Sequence, residues 1–141
     1  MALKISERAD ILLGAVTLDH GDVINGKNTR VVAQYKNFGR TRAKDVKLTL
    51  SLMIEGVPAT NCSRVPSISL GAGDTQSISS ERFVEFLTEK TADDVLSGGT
   101  PLRFESEALY TDVFDNAHRS YYTGVWDRGT DRFSMEKQET E

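Results

Sequence analysis

Residues 29–54 decide the fold class of this chain, and they read TRVVAQYKNFGRTRAKDVKLTLSLMI. In the first half, Val31, Ala33 and Tyr35 fall on one face, with Gln34 and Lys36 on the other, which is the period-two pattern of a half-buried strand. In the second half, a longer alternation places five apolar residues on one face: Val46, Leu48, Leu50, Leu52 and Ile54. A helix would spread those five around its whole circumference, so both halves are predicted strands. The Asn-Phe-Gly at 37–39 predicts the turn of a β-hairpin between them.

Similar patterns continue on both sides of this stretch. They predict a first strand at 9–18, a short strand at 67–70 and a serine-rich edge strand at 75–86. They also predict a second hairpin, in which the turn Asp112-Val113-Phe114-Asp115-Asn116 joins strands 102–110 and 118–126, with Asp115-Asn116 as natural turn residues. Residues 91–98 predict a two-turn helix, with Thr91 as its N-cap and Gly98 as its C-terminal stop. The fold class predicted is all-β: an antiparallel immunoglobulin-like β-sandwich of seven to eight strands with one short crossover helix.

The length of 141 residues fits one domain with one core. We expect a lead-in at 1–8, the sandwich at 9–127 and a flexible polar tail at 128–141, because the tail lacks any hydrophobic period. No segment approaches the ~20 apolar residues of a membrane span, and the charged start is unlike a signal peptide. The chain as given is expected to be soluble. A periplasmic or membrane-associated location is expected if an upstream anchor was removed.

Composition and residue spacing argue against several functional classes. The net charge of −4 does not predict a nucleic-acid binder. Cys62 is the single cysteine, which excludes an intrachain disulfide, and His20 and His118 show no metal-ligand spacing. No nucleophile with a base, and no phosphate-binding glycine motif leading into a helix, is present. We therefore expect a protein that is not an enzyme and uses no cofactor and no metal.

A resemblance to a known family rests on the order Asn37, Gly39, Ala43 and Val46, followed by alternating apolar residues and the turn SLGAGD at 69–74. This order resembles the immunoglobulin-like modules of bacterial envelope and adhesion proteins of the CARDB type, whose pattern is N-x-G-x-x-x-A-x-x-V and then a leucine-small-glycine turn. Residues 109–118 are similar to the last hairpin of small, often membrane-anchored bacterial proteins of unknown function, with Asp115 where glycine is usual. The resemblance covers 31–126 and implies a fold and an envelope setting. Its motifs are turn and core positions.

The charges are unevenly distributed along the chain. Residues 27–47 carry seven basic residues and one acid, whereas 74–115 carry ten acids and three basic residues. One interpretation is a basic pole at Arg40, Arg42 and Lys44, suited to lipid headgroups or an acidic polysaccharide. The alternative, which we favour, is that the two sets face each other across neighbouring strands or are solvated. If Tyr122 and Trp126 face inward, then Tyr121 faces outward and is the aromatic residue available to a ligand.

The leading functional prediction is a non-enzymatic interaction or adhesion-type module in a bacterial envelope assembly. It would bind a protein partner through the end loops or through the sheet edge at 75–80. The alternative is a carbohydrate or anionic-polymer binding module that uses Arg40, Arg42, Lys44 and Tyr121. Self-association is compatible with either prediction, and neither involves nucleic acid.

Overall fold

A computed structural model of the protein describes residues 8–19, 29–55, 62–130 and 132–140. The strands are β1 (Ile11–Asp19), β2 (Arg30–Asn37), β3 (Ala43–Ile54), β4 (Cys62–Leu70), β5 (Thr75–Ser79), β6 (Leu102–Thr111), β7 (Ala117–Asp127) and β8 (Arg132–Thr140). Two helices, α1 (Phe83–Phe86) and α2 (Glu89–Leu96), lie between β5 and β6. The predicted lead-in at 1–8 lies, apart from Arg8, outside the described residues.

The strands form two antiparallel sheets with the orders β1-β2-β5 and β4-β3-β6-β7-β8. Their inward faces share one core, and the alternation that predicted the strands is confirmed. The predicted inward residues of β2 and β3 are all buried: Val31, Ala33, Tyr35, Val46, Leu48, Leu50, Leu52 and Ile54. The β6–β7 hairpin also forms as predicted. The antiparallel β-sandwich is therefore confirmed, and its chain crosses between sheets in the manner of immunoglobulin-like folds.

The stretch at 29–54 is not a hairpin, which corrects the prediction made from its turn residues. Strand β2 pairs with β1 and β5, whereas β3 pairs with β4 and β6 in the other sheet. The 38–42 loop therefore connects the two layers of the sandwich. Its conformation depends on hydrogen bonds to residues distant in sequence, and local turn chemistry does not reveal these.

The segment predicted as an edge strand at 75–86 is shorter than expected. Strand β5 ends at Ser79, and the chain then turns into α1. Phe83 of α1 is fully buried and packs edge-on against Phe86, with 5.9 Å between ring centroids. The burial of Phe83 removes a large apolar area from water. The free energy gained in this way exceeds the free energy that a longer edge strand would contribute.

The predicted crossover helix corresponds to α2, with a corrected start. Thr88 is the N-cap, and its Oγ1 accepts a hydrogen bond from the Thr91 N–H at 3.2 Å. Gly98 follows the helix with φ of 84°, in the left-handed region that glycine adopts at little cost. The predicted stop is therefore confirmed, whereas the predicted N-cap was three residues late.

The C-terminal segment also differs from its prediction. Residues 128–141 were expected to be a flexible tail, but Arg132–Thr140 form β8, which pairs with β7 along its length. Phe133 packs edge-on against Phe104, with 5.4 Å between ring centroids. Strand β8 shows no hydrophobic alternation because nearly all of its side chains are exposed. Its strand conformation comes from hydrogen bonding to β7, which a periodicity argument does not detect.

Side-chain hydroxyl groups of the five-stranded sheet bind the outer edge of β1. The Ile11 N–H donates to Tyr110 Oη and the Leu13 N–H to Tyr122 Oη, both at 3.2 Å. Ser120 Oγ donates to the Ile11 carbonyl at 2.8 Å. Burial raises the pKa of Tyr110 and of Tyr122. The backbone groups of Ile11 and Leu13 on the outer edge of β1 are therefore already hydrogen-bonded within the domain.

Candidate interaction surface

Three turns lie at one end of the sandwich, which we call the loop end. They are the 38–42 loop between β2 and β3, the 71–74 turn between β4 and β5, and the 112–116 turn between β6 and β7. Antiparallel pairing places these connections at the same end of the two sheets. An ion pair between Lys44 Nζ and Asp115 Oδ1, at 2.9 Å, links the 38–42 side to the 112–116 turn.

Asn37 holds the 38–42 loop in place. Its side chain is fully buried. Its Oδ1 accepts hydrogen bonds from the Asp10 N–H at 3.1 Å and the Gly39 N–H at 2.9 Å. Its Nδ2 donates to the Thr41 carbonyl at 2.8 Å and the Leu70 carbonyl at 3.1 Å. An asparagine amide has two donors and an acceptor oxygen, and here all of them are used to connect the start of β1, the loop and the end of β4.

A buried contact between His118 and Asp112 holds the 112–116 turn. His118 Nε2 and Asp112 Oδ2 are 2.6 Å apart, and the two side chains are 9% and 2% exposed. Asp112 Oδ1 accepts from the Phe114 N–H at 2.8 Å and the Asn116 N–H at 3.1 Å. Burial opposes ionisation of Asp112, but the hydrogen bonds from His118 and from the backbone outweigh it, so the pKa of Asp112 lies below its usual value.

The Asp112 carboxylate should make stability depend on pH. A carboxylate with a lowered folded pKa contributes stability above its unfolded pKa, near 3.8, and loses it as the pH falls through the folded pKa. We expect Asp112→Ala to lower the free energy of unfolding by about 2 to 3 kcal/mol at pH ~7. Urea unfolding of the wild type and of Asp112→Asn at about pH 5 and about pH 2.5 measures the ionic part. Their difference should shrink at the lower pH, and an unchanged difference would contradict this account.

Large apolar side chains are exposed on the loop end. Among the described residues five such side chains are exposed, and three of them lie here: Phe38 at 54%, Val113 at 42% and Phe114 at 38%. The Lys36 ammonium lies 5.2 Å from the centroid of the Phe38 ring. Apolar groups that cluster on rigid loops are typical of surfaces that meet a partner.

The four residues predicted as a ligand site are not brought together. Arg40 and Arg42 are exposed on the 38–42 loop, and Arg42 donates to Ser69 Oγ at 2.9 Å. Lys44 is paired with Asp115. Tyr121 lies on the outward face of the five-stranded sheet. Tyr121 is opposite Glu107 of β6, whereas Lys44 is opposite Thr111 of the same strand. These two positions of β6 are four residues, or about 13 Å, apart along the strand.

Tyr121 faces outward as predicted, but charged side chains surround it. Its hydroxyl donates to Glu105 Oε1 at 2.8 Å. The guanidinium of Arg119 lies 4.7 Å from its ring centroid and the ammonium of Lys137 lies 5.9 Å from it. Partial burial and the bond to Glu105 raise the pKa of Tyr121. The Tyr121 ring thus makes cation–π contacts with two cations of the same domain.

The uneven charge distribution is partly neutralised within the fold. Lys44 of the basic segment pairs with Asp115 of the acidic segment across β3 and the β6–β7 turn. Arg30, another member of the basic segment, pairs with Asp19 at 2.9 Å. The pair between Lys44 and Asp115 agrees with the favoured alternative, in which the two sets face each other, whereas Asp19 lies outside the acidic segment. Lys27 lies outside the described residues.

The predicted sheet edge is present but short. Strand β5 is at the edge of the three-stranded sheet and has five residues. The hydrogen bonds that flank it, to Asn37 and Val31, indicate that Thr75, Ser77 and Ser79 turn their backbone groups away from β2. The Gln76 side chain donates to the Ser77 carbonyl at 3.0 Å, so part of this edge is already hydrogen-bonded.

The described part of the chain contains no group of three or more histidine, cysteine, aspartate or glutamate side chains placed to hold a metal ion. Cys62 is an exposed free thiol at the start of β4. Asp112 and Asp115 are bound to N–H groups and to Lys44. No helix within 8–19, 29–55, 62–130 or 132–140 has the length and apolarity needed to span a membrane.

Two features of the loop end were missed by sequence reasoning. The first is the contact between Asp112 and His118. The predicted turn began with Asp112 and the following strand began with His118, so their positions on either side of one hairpin turn could have indicated this contact. The second is the exposure of Val113 and Phe114. The sequence indicates it only weakly, because two apolar residues in a turn can either face solvent or pack against the sandwich.

Comparison with known proteins returned no match to this chain, either among protein-family models or among curated proteins.

Proposed function

We propose that this domain is a non-catalytic interaction module that binds a protein partner through its loop end. The observation that carries the proposal is the exposure of Phe38, Val113 and Phe114 on turns of that one end. Aromatic and aliphatic side chains of this kind provide most of the binding energy in protein interfaces when they enter a partner's pockets. Placement in a bacterial envelope assembly rests on the resemblance alone and stays a prediction.

Rigidity of the supporting turns favours the same role. The Asn37 side chain makes two hydrogen bonds to the 38–42 loop and two to the neighbouring Asp10 and Leu70. Asp112 accepts two from the backbone of the 112–116 turn and contacts His118 beside it. Anchors on pre-organised loops lose less conformational entropy on binding than anchors on loose ones. The loop end therefore combines exposed apolar groups with a low ordering cost.

Charges of both signs at the loop end favour a protein over a uniformly anionic surface. Arg40 and Arg42 lie close to Lys44, whose charge is balanced by Asp115. Electrostatic complementarity to a protein surface uses both signs and contributes to specificity. The anionic-polymer alternative has less support, because Tyr121 is remote from these residues and Lys44 already has a partner.

Photo-crosslinking in the cells of origin tests the proposal. Benzoylphenylalanine is placed at position 38, at position 114 and, as control, at position 34, where Gln34 is exposed in the middle of β2. We expect one protein adduct of the same mass from positions 38 and 114 and none from 34. Val113→Asp should reduce the adduct from position 38 at least about fivefold, because a charge on the neighbouring turn is costly in an apolar contact.

Three outcomes would contradict the proposal. One is an equal adduct yield from position 34, which would mean random contact. Another is an adduct from position 38 that persists in the folded Val113→Asp variant. The last is attachment only to lipid or glycan, which would favour the anionic-polymer alternative.

A further inference from the structure

A hollow on the outward face of the five-stranded sheet is separate from the loop end. We call it the outer notch, and it is lined mainly by Lys47, Thr49, Arg64, Val65, Pro66 and Leu109. Its volume is about 370 Å³. Small-molecule sites in proteins occupy roughly 300 to 1,000 Å³, so the outer notch has the size of a small-ligand site.

A β-bulge in β4 creates the outer notch. Val46 pairs with Ile68 and Leu48 pairs with Val65, so two residues of β4 face a single residue of β3. One of the two is Pro66, which has no N–H to donate to the ladder. The bulge interrupts regular pairing and opens a concavity between the two strands.

Two cationic side chains of the outer notch have no ion-pair partner among the described residues. On the outward face of strands β4, β3, β6 and β7, Lys44 pairs with Asp115, Arg119 with Glu107, and Arg103 with Glu136. In contrast, neither the Lys47 side chain nor the Arg64 side chain forms an ion pair or hydrogen bond with any residue in the described ranges. Two unneutralised cations on one concave surface would attract an anion.

The strand register brings these cations beside apolar groups. Lys47 is opposite Leu109 of β6, and Thr49 is opposite Arg64 of β4. The Leu109 side chain is 40% exposed although it lies in the middle of a broad sheet. Pro66, at the bulge, adds a second apolar group, whereas Val65 is opposite the inward-facing Leu48 and packs against the core. The outer notch therefore combines an apolar floor with a cationic rim.

The acids that border the outer notch are already hydrogen-bonded. Glu107, opposite Thr49 on β6, accepts from Arg119 Nε at 2.6 Å. Asp45, at the end nearest the loop end, accepts from Ser67 Oγ at 3.2 Å. Neither acid forms an ion pair with Lys47 or Arg64, so the rim keeps its positive charge.

We propose that the outer notch binds a small organic anion with an apolar body, in the class of aryl or alkyl carboxylates and sulfonates. Lys47 and Arg64 contact the anionic group, and Leu109 and Pro66 contact the apolar body. The Thr49 hydroxyl offers one further hydrogen bond. The site does not depend on the loop end, so it stands or falls separately from the proposed protein interaction.

The test uses 1-anilinonaphthalene-8-sulfonate as the anionic probe and N-phenyl-1-naphthylamine as its uncharged counterpart. Fluorescence titration gives the affinity of each probe for the wild type, Lys47→Ala/Arg64→Ala and Lys90→Ala/Arg132→Ala. The last variant removes the same two charges from exposed positions elsewhere. We expect the first double variant to bind the anionic probe about five- to tenfold more weakly, since each exposed ion pair contributes up to about fivefold. The control variant and the uncharged probe should change less than about twofold.

Backbone amide chemical shifts locate the probe independently of affinity. Addition of the anionic probe should shift the amides of Lys47, Thr49, Arg64, Val65 and Leu109, with the dispersed spectrum of the folded protein retained. Three results would overturn the proposal: shifts confined to Phe38 and Phe114 at the loop end, equal loss of affinity in both double variants, or no binding of the anionic probe.

Discussion

Replacing Asn37 with alanine should lower the free energy of unfolding by about 4 kcal/mol. The buried side chain accepts two hydrogen bonds and donates two. Alanine leaves the N–H groups of Asp10 and Gly39 and the carbonyls of Thr41 and Leu70 without this partner. Each buried polar group left unsatisfied costs about 1 to 3 kcal/mol, and partial entry of water reduces the sum. Urea unfolding followed by the fluorescence of the single tryptophan measures the loss.

Two further variants separate the causes. Asn37→Asp keeps an acceptor for Asp10 and Gly39 but presents a second oxygen to two carbonyls, so we expect a loss of about 3 kcal/mol or more. Gln34→Ala, on the exposed face of the same strand, should stay within about 0.5 kcal/mol of the wild type. A loss under about 1 kcal/mol for Asn37→Ala would mean that the side chain does not organise the loop end.

The second large effect is expected at Gly39, where alanine should cost about 3 kcal/mol. A Cβ atom at this position would lie 2.1 Å from the Arg8 carbonyl oxygen, 2.7 Å from Ala9 Cα and 2.7 Å from the Asp10 nitrogen. All three are backbone atoms and cannot rotate away. The start of β1 would have to move, although Ala9 is fully buried. Glycine is required here because two backbone segments come close together.

Two other glycines provide matched controls for this steric cause. At Gly14 a Cβ would meet only the Gln34 carbonyl oxygen, at an ordinary 3.5 Å, so Gly14→Ala should change stability by less than about 0.5 kcal/mol. At Gly73 a Cβ would meet nothing within 4 Å, but φ is 79°, so alanine should cost about 1 kcal/mol. Equal losses at all three positions would indicate a general effect of removing glycine. Thermal or urea unfolding ranks the three variants.

The motif that carries the family resemblance has a structural reason at each position. Asn37 binds four backbone groups, Gly39 allows the start of β1 to approach, and Ala43 and Val46 are fully buried. None of the four is exposed for ligand contact. The pattern N-x-G-x-x-x-A-x-x-V therefore describes a crossing between two sheets, and the function of the domain must come from other residues.

The four residues predicted as a ligand site were chosen by charge and exposure along the chain. Strand alternation predicted the outward direction of Tyr121, and Tyr121 does face outward. Whether the four residues lie close together could not be predicted, because the strand register decides which positions distant in sequence become neighbours. The structure leaves Tyr121 among Glu105, Arg119 and Lys137, and it brings Lys47 beside Arg64 and Leu109 instead.

Local sequence patterns were sufficient to predict the fold class and the inward face of the main strands. Hydrophobic alternation with a period of two is a local property, and one buried face of a strand produces it directly. Gly98 as the end of α2 and the β6–β7 hairpin follow from equally local conformational preferences.

Three features instead depend on tertiary contacts: which strands share a sheet, where β5 ends, and the formation of β8 by residues 132–140. Sheet assignment of β2 and β3 depends on Asn37 reaching Leu70, a residue more than thirty positions away. Burial of Phe83 ends β5, and pairing with β7 makes a strand of a segment whose side chains are mostly exposed. In each case the deciding free energy comes from contacts between residues distant in the chain, and such contacts leave no periodic trace in either segment alone.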